Sequence, residues 1–535
     1  MKHLFQGLIL CLLFVGVSAA QTGTIQGSLV DAQGASIPNA KVSAFDEAKQ
    51  LVARETTTGE DGRFYLRNLL PATYTVRSET TGFKTLQQAG LRLDQNQILD
   101  LGALSMEVGD VVDYVTVSDQ IPLVETATAN KSFVITGRQV TELSLNGRDF
   151  QSLMRTLPGV VSNDRSNFRL AFNNTDSFQV NGLRGSMNNV FLDGTINTDV
   201  GANDGQFTQI SLDAVGEFKV QTSTFNAEYG RNPGVLISIN TKSGTSQYHG
   251  TLYEFLRNNA LDARLPFDTT GKTAPLRFNQ FGANIGGPIY LPRLSTRNDK
   301  RMFFFFNYEG TRAGRPIGNN FVDLPHTDLL TGDLSRLYRP GFIQDDNRQN
   351  TPHRLGQVFR PGTVVRGAGG RIIGGDPYPG NIVPRSEWSR NAQGFLNVMS
   401  FFDVSGAPGA PGAPELVRFP YQQQYNFRKD AKVLRYDWQI SSNANFFFRW
   451  ADDSQQESQP LGIFSTLPSP IFPQFRKKPG SSWSWNLVNV ISPTVTHEFI
   501  FSYNRLTQLV DVVDGTPDAQ SLLSKLDLAP LEYGG

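Results

Sequence analysis

Cysteine is nearly missing from this chain of 535 residues: the only one is Cys11. It lies in an apolar run, Leu8 to Val17, that follows Lys2 and His3 and precedes Ser18-Ala19-Ala20. A basic start, a short apolar stretch and small residues at the minus-three and minus-one positions predict a secretory signal peptide over residues 1–20, cleaved between Ala20 and Gln21. The run is too short to cross a roughly 30 Å hydrocarbon core. Removing it removes Cys11, and with it disulfides, thiol nucleophiles and cysteine-ligated zinc. The other histidines, His249, His326, His353 and His497, are scattered without metal-ligand spacing, so no metal and no cofactor is expected. Charge of one sign is lacking too: Lys plus Arg and Asp plus Glu are 49 each. No net field gathers nucleic acid, which is excluded as a partner. No later run of eighteen apolar residues exists, so a membrane would have to be met by strands.

What is abundant is aromatic. The chain has 38 Phe and 11% aromatics against 18% charged residues, a balance suited to rings buried outside water. Its length predicts roughly three to four domains at about 150 residues each.

Residues 21–107 alternate short β-type runs with Gly, Pro and Asp turns, the pattern of a small antiparallel sandwich. The markers are Gly27-Ser28-Leu29-Val30-Asp31, Ile37-Pro38-Asn39-Ala40-Lys41-Val42, Asp61-Gly62-Arg63-Phe64 and Leu70-Pro71-Ala72-Thr73-Tyr74. Val30, Val42, Phe64, Leu66, Tyr74 and Val76 form the expected inward set. The series resembles the carboxypeptidase regulatory-like domain, a transthyretin-like or carbohydrate-binding-like sandwich, with Ala72 where that family usually has Gly. The resemblance implies an accessory fold without peptidase residues.

Residues 108–118 hold a β-prone run. It reads as an exposed strand able to pair with a partner's sheet edge, as the last sandwich strand, or as a linker. From 119 to 243 the texture is α/β. Thr136 is placed to cap a helix through Arg138, Val140 and Leu143, and Asp149 to open a second that Leu157-Pro158-Gly159 stops. The stretches Leu143 to Phe150, Leu157 to Val160, Val180 to Gly185, Phe191 to Gly194 and Phe225 to Arg231 then occur in an order that resembles the plug of TonB-dependent outer-membrane transporters.

Beyond Ser243 strict alternation sets in. Val495, His497, Phe499, Phe501 and Tyr503 share one face, and Leu434, Tyr436, Trp438 and Ile440 oppose Arg435, Asp437 and Gln439. Apolar-out, polar-in strands with aromatic ends predict a transmembrane β-barrel facing outer-membrane lipid over residues 244–535. The Pro-, Gly- and Asn-rich stretch 316–428 is expected to be a long extracellular loop. Asn240-Thr241-Lys242-Ser243-Gly244-Thr245, Phe281 to Pro288 and Phe303 to Gly310 resemble the Oar-type branch of the TonB-dependent family. About seven strand candidates follow Ser243, against about 22 in plugged barrels, so the sequence is expected to be an N-terminal fragment.

The expected fold is therefore mainly β: an N-terminal β-sandwich, an α/β plug, then the first part of an antiparallel transmembrane barrel. The resemblance implies an outer-membrane protein with a periplasmic N-terminal domain. It would import a siderophore, glycan, peptide or protein when the inner-membrane TonB complex pulls on the plug. Adhesion or protein export, or a non-transporting surface role, are the alternatives. No catalytic residues are expected: there is no His/Glu zinc set and no G-x-S-x-G elbow. Asp113, Tyr114, Val115, Thr116 and Val117 are the candidate TonB contact. Arg148, Arg184, Asp193 and Arg231 are candidate plug residues, either salt-bridged to the barrel wall or serving as turn residues beside Gly.

Overall fold

The computed structural model describes residues 22–109, 114–116, 131–143, 145–148, 150–162, 178–201, 205–223, 233–263, 273, 275–343, 352–399, 409–410, 413–459, 474–492 and 495–512. The chain forms two compact units. One comprises Met1–Ala313, Phe427–Gln456 and Lys477–Leu509; the other comprises Gly314–Asn426, Glu457–Arg476 and Val510–Gly535.

The first unit begins with the sandwich. One sheet carries Arg63–Leu69, Gly23–Val30 and Ile98–Ser105; the other carries Leu51–Thr57, Lys41–Asp46, Ala72–Glu79, Thr85–Leu93 and Tyr114–Thr116, each in that spatial order. Alternation puts Ile25, Leu29, Val42, Phe64, Leu66, Tyr74 and Val76 between the sheets. Val30 is only half-buried and Leu29 takes the inward place. A register shift between Gln26 and Ser28, where Gly23–Val30 runs parallel to Ile98–Ser105, re-phases that strand. Gly62, at φ 72°, turns the chain where a Cβ would come within 2.6 Å of the Leu29 carbonyl oxygen, so only Gly fits.

The plug sheet has the order Thr195–Ile196, Asn189–Leu192, Leu236–Thr241, Val215–Ser223, Lys131–Thr136. Asn189–Leu192 and Leu236–Thr241 are parallel, the remaining pairs antiparallel. The helix Gly137–Glu142 starts as expected: Thr136 and Gln139 form a reciprocal capping box. The second helical stretch, Phe150–Thr156, is a 3-10 helix. Its Leu153 and Met154 pack with Val140, Phe218, Val220, Ile237 and Ile239, and this core continues onto Phe305, Val433 and Ala451 of the following sheet.

That sheet runs in chain order: His249–Asn258, Arg277–Ile289, Met302–Pro325, Ala413–Ser441, Ala444–Gln459, Gln474–Ser492, Val495–Leu506. Connections alternate between short ones, such as the two-residue turn at Ser442-Asn443, and long ones, as in outer-membrane barrels. Phe499, Phe501 and Tyr503 are about half exposed, whereas Arg435 and Asp437 are buried, so the expected outward and inward faces are present. Phe448, Trp483, Trp485 and Phe501 form a contiguous ring cluster with centroids 5.4 to 6.2 Å apart, the aromatic character that barrels carry near the interface. Among the described residues no helix is long and apolar enough to cross a membrane.

Strands Met302–Pro325 and Ala413–Ser441 run into both ends of the 316–428 stretch. In the second unit the residues between them form two small hairpins, Arg339–Phe342 with Arg354–Leu355 and Val365–Arg366 with Ile372–Gly374. Buried Asn381 organises them, donating to the carbonyls of Leu334 and Gly356 and accepting from the Val358 N–H.

Candidate functional site

The Asp193-Gly194 pair turns the chain between Asn189–Leu192 and Thr195–Ile196 with both residues at positive φ, 46° and 76°, the conformation that two-residue hairpin turns require. The turn leaves the Asp193 carboxylate fully buried. Oδ1 accepts from the Thr241 backbone N–H at 2.9 Å and from Arg435 Nη1 at 3.2 Å; Oδ2 accepts from Thr241 Oγ1 at 2.9 Å and from Arg449 Nε at 3.1 Å. Asp193 is thus both things the sequence suggested, a turn residue and an ion-pair partner of the barrel wall.

The two arginines face inward by strand alternation. Arg449 is 0% exposed and spends its remaining donors on Ser482 Oγ and the Ser482 carbonyl through Nη1, and on Thr195 Oγ1 and the Leu192 carbonyl through Nη2. All five N–H groups find acceptors, so the guanidinium is saturated. Arg435 bridges Asp193 to Asp437, its Nη2 lying 3.0 Å from Asp437 Oδ1, and stacks 4.5 Å from the Phe447 centroid. Lys49 of the sandwich reaches the same Asp437 at 3.5 Å. One chain of charges therefore links the plug turn, the barrel wall and the sandwich.

Arg148 makes a second plug-to-wall contact. It pairs with Asp213 of the plug, and its guanidinium lies 4.0 Å from the Phe255 ring centroid and 5.2 Å from that of Tyr253 on the first barrel strand. A third junction joins sandwich and plug: buried Glu217 accepts from the Gln95 N–H at 3.0 Å and from Arg92 Nη2 at 3.3 Å. Burial pushes its carboxyl up to about 7 and Asp94 adds to the rise, against the Gln95 N–H, Arg92 and Lys219.

The other candidates fare differently. Arg184 is exposed, and no ion pair joins it among the described residues. Arg231, Ala20, Gln21, Asp113 and Val117 lie outside the described residues. Tyr114–Thr116 is a strand paired in parallel with Thr85–Gln87 at the sheet edge. The condition set for the TonB contact, a stretch kept out of the neighbouring sheets, is not met; its backbone is already paired within its own domain. Arg435 and Arg449 were not singled out as site residues, though alternation marked Arg435 as inward. The same reading of Phe446, Phe448 and Trp450 around Arg449 would have found the other. Among the described residues no cluster of His, Cys, Asp and Glu is arranged to hold a metal.

Family comparison agrees with this geometry. Residues 24–107 match the carboxypeptidase regulatory-like domain, 125–235 the TonB-dependent receptor plug domain, and 240–529 the outer membrane beta barrel domain. The last match covers more than half of the chain. The chain belongs to the outer membrane β-barrel family. Its sequence of domains is that of TonB-dependent receptors of the Oar-like type, which places it in the outer membrane with the sandwich on the periplasmic side. The TonB-dependent transporter Oar of Myxococcus xanthus is 25% identical over 350 residues, which make up 60% of this chain and 31% of that relative. The chain thus spans about a third of the length of the curated relative it matches. Similar solved structures include the outer membrane transporter YddB from Escherichia coli, with a TM-score of 0.40 and 9% identity over 71% of this chain and 39% of that one. The ferric yersiniabactin uptake receptor FyuA from Yersinia pestis has a TM-score of 0.33 and 11% identity over 72% and 50%.

Proposed function

We propose that the protein acts as a TonB-dependent outer-membrane receptor and transporter. It takes up a solute too large or too scarce for passive pores, and admits it when the inner-membrane TonB complex draws on the plug. The observation that carries this reading is the Asp193 cluster. A plug meant to stay would be fixed most stably by apolar packing, because replacing a buried ion pair with well-packed apolar residues is often neutral or stabilising. Charges behave differently when separated: water solvates them again, whereas separated apolar faces stay exposed at full cost. Asp193, Arg435 and Arg449 therefore serve as a releasable fastening, with Arg148 as a second one. Energy enters mechanically, and no covalent chemistry is needed.

The TonB contact in this proposal is the main chain of residues 113–117. Its pairing with Thr85–Gln87 spans three residues, so release forfeits few hydrogen bonds at about 0.5–1.5 kcal/mol each. The edge strand exchanges one sheet for another. The test is calorimetric titration of the purified periplasmic domain of TonB into the detergent-solubilised chain. Val115→Pro removes a backbone donor and fixes φ, and it should abolish measurable binding while leaving the thermal midpoint of the chain in place. Equal affinity for the variant and the parent protein would overturn the assignment.

A further inference from the structure

A cleft of about 360 Å³ lies between the sandwich and the short-turn end of the barrel wall, lined among others by Lys41, Arg54, Arg67, Ser442, Asn443 and Ile491. Arg54 dominates its electrostatics. The side chain is 2% exposed, yet its acceptors are all neutral: the Asn68 carbonyl at 3.0 Å, Asn445 Oδ1 at 3.4 Å and the Ser442 carbonyl at 3.5 Å. Its Nε has no acceptor, and among the described residues no carboxylate pairs with it. Glu55 is the one carboxylate lining the cleft, and Lys41 holds it at 2.9 Å. Arg67 lies 5.0 Å from the Tyr65 ring centroid and likewise has no carboxylate partner among the described residues.

This differs from the buried arginines of the barrel lumen, Arg435 and Arg449, which are both given carboxylates. A buried cation without a counter-charge is strongly unfavourable, and burial draws the Arg54 guanidinium down to about 10. The cleft is thus short of an anion. Its position says which kind. Ser442-Asn443 is a tight turn of the barrel, and Ile491, which is 65% exposed, ends the neighbouring strand. In outer-membrane barrels such short turns mark the periplasmic boundary of the bilayer, where phosphate headgroups lie beside apolar chains.

We infer that the cleft binds the phosphate of a phospholipid headgroup from the periplasmic leaflet through Arg54 and Arg67, and so ties the sandwich to the membrane beside the barrel. A guanidinium suits this task, because its planar fork takes two phosphate oxygens at once. Arg54 Nε is the free donor, and Ile491 offers apolar surface to the glycerol end of the acyl chains.

The test uses the chain purified in dodecylmaltoside and titrated with dioleoyl phosphatidylglycerol, with dioleoylglycerol and sodium phosphate as comparison ligands. Bound molecules are counted by native mass spectrometry, and the thermal midpoint is followed alongside. The parent protein should hold one phospholipid tightly, and its midpoint should rise with lipid concentration. Arg54→Gln and Arg67→Gln should each weaken binding about tenfold or more; Lys84→Gln, outside the cleft, should not. Arg67 is only half-buried, so Arg67→Gln keeps the test decisive even where Arg54→Gln fails to fold. Undiminished phospholipid binding in the Arg67→Gln chain would overturn the inference. Equal retention of dioleoylglycerol would do the same, as would binding of sodium phosphate without preference for the lipid.

Discussion

The sandwich core and the plug-to-barrel contact solve opposite problems. Between the sandwich sheets, Ile25, Leu29, Phe64, Leu66, Leu69 and Leu91 are essentially fully buried and apolar. At the plug turn the most deeply buried side chains include Asp193 and Arg449. The first contact derives its strength from shape and area, which hold only while every group stays packed. The second derives it from matched charge and saturated hydrogen bonds, which are unforgiving of a lost partner yet tolerate separation into water. Adjoining parts of one compact unit are thus built for permanence and for release.

The sharpest way to break this comparison is substitution at constant size. Asp193→Asn nearly conserves volume but leaves two buried arginines short of charge. It should cost about 3–5 kcal/mol at the plug, close to the cost of Asp193→Ala. Phe64→Ala should cost about the same in the sandwich, whereas Phe64→Leu should cost much less. Chemical denaturation of the detergent-solubilised chain, followed by hydrogen exchange of each region, reads both. Equal tolerance of the conservative change at the two sites would erase the distinction.

The sandwich-to-plug junction lies between the extremes and should respond to pH. Glu217 has its folded-state pKa raised from 4.5 to about 7, so the docked form binds the proton more tightly. The resulting stabilisation is fully present below the unfolded value and is lost as pH rises through about 7, by at most about 1.4 kcal/mol per pH unit. The Gln95 amide, which donates to Glu217, should exchange more slowly at pH 5.5 than at pH 8 after correction for intrinsic rates. Glu217→Gln should flatten that difference; a profile that slopes the other way would reverse the assignment of cause. The smallest effect is local: Thr136→Ala removes the capping box of Gly137–Glu142 and should cost about 1 kcal/mol, confined to exchange in that helix.

The sequence made the β architecture legible where a face repeats. The alternation from Val495 to Tyr503 and from Leu434 to Ile440 needs only neighbours in the chain, as does the Thr136 cap. It failed where the deciding partner is remote. Val30 and Leu29 exchanged roles because a parallel partner some seventy residues away shifts the register. Tyr114–Thr116 was placed free of the sheets because nothing local announces pairing with Thr85–Gln87. At the site, the Asp193-Gly194 turn was readable from its residue types. Its partners, more than two hundred residues away, required three-dimensional closure of the sheet around the plug.

The most direct test of the releasable charge fastening is a double-mutant cycle between Asp193→Asn and Arg449→Gln, with Phe64→Ala as the distant reference, measured by denaturation of the full chain. The Asp193 and Arg449 changes should be strongly non-additive, with a coupling of about 1–3 kcal/mol, and each should add to Phe64→Ala within about 0.5 kcal/mol. Additivity between Asp193→Asn and Arg449→Gln would contradict the claim that this ion pair fastens the plug to the barrel wall.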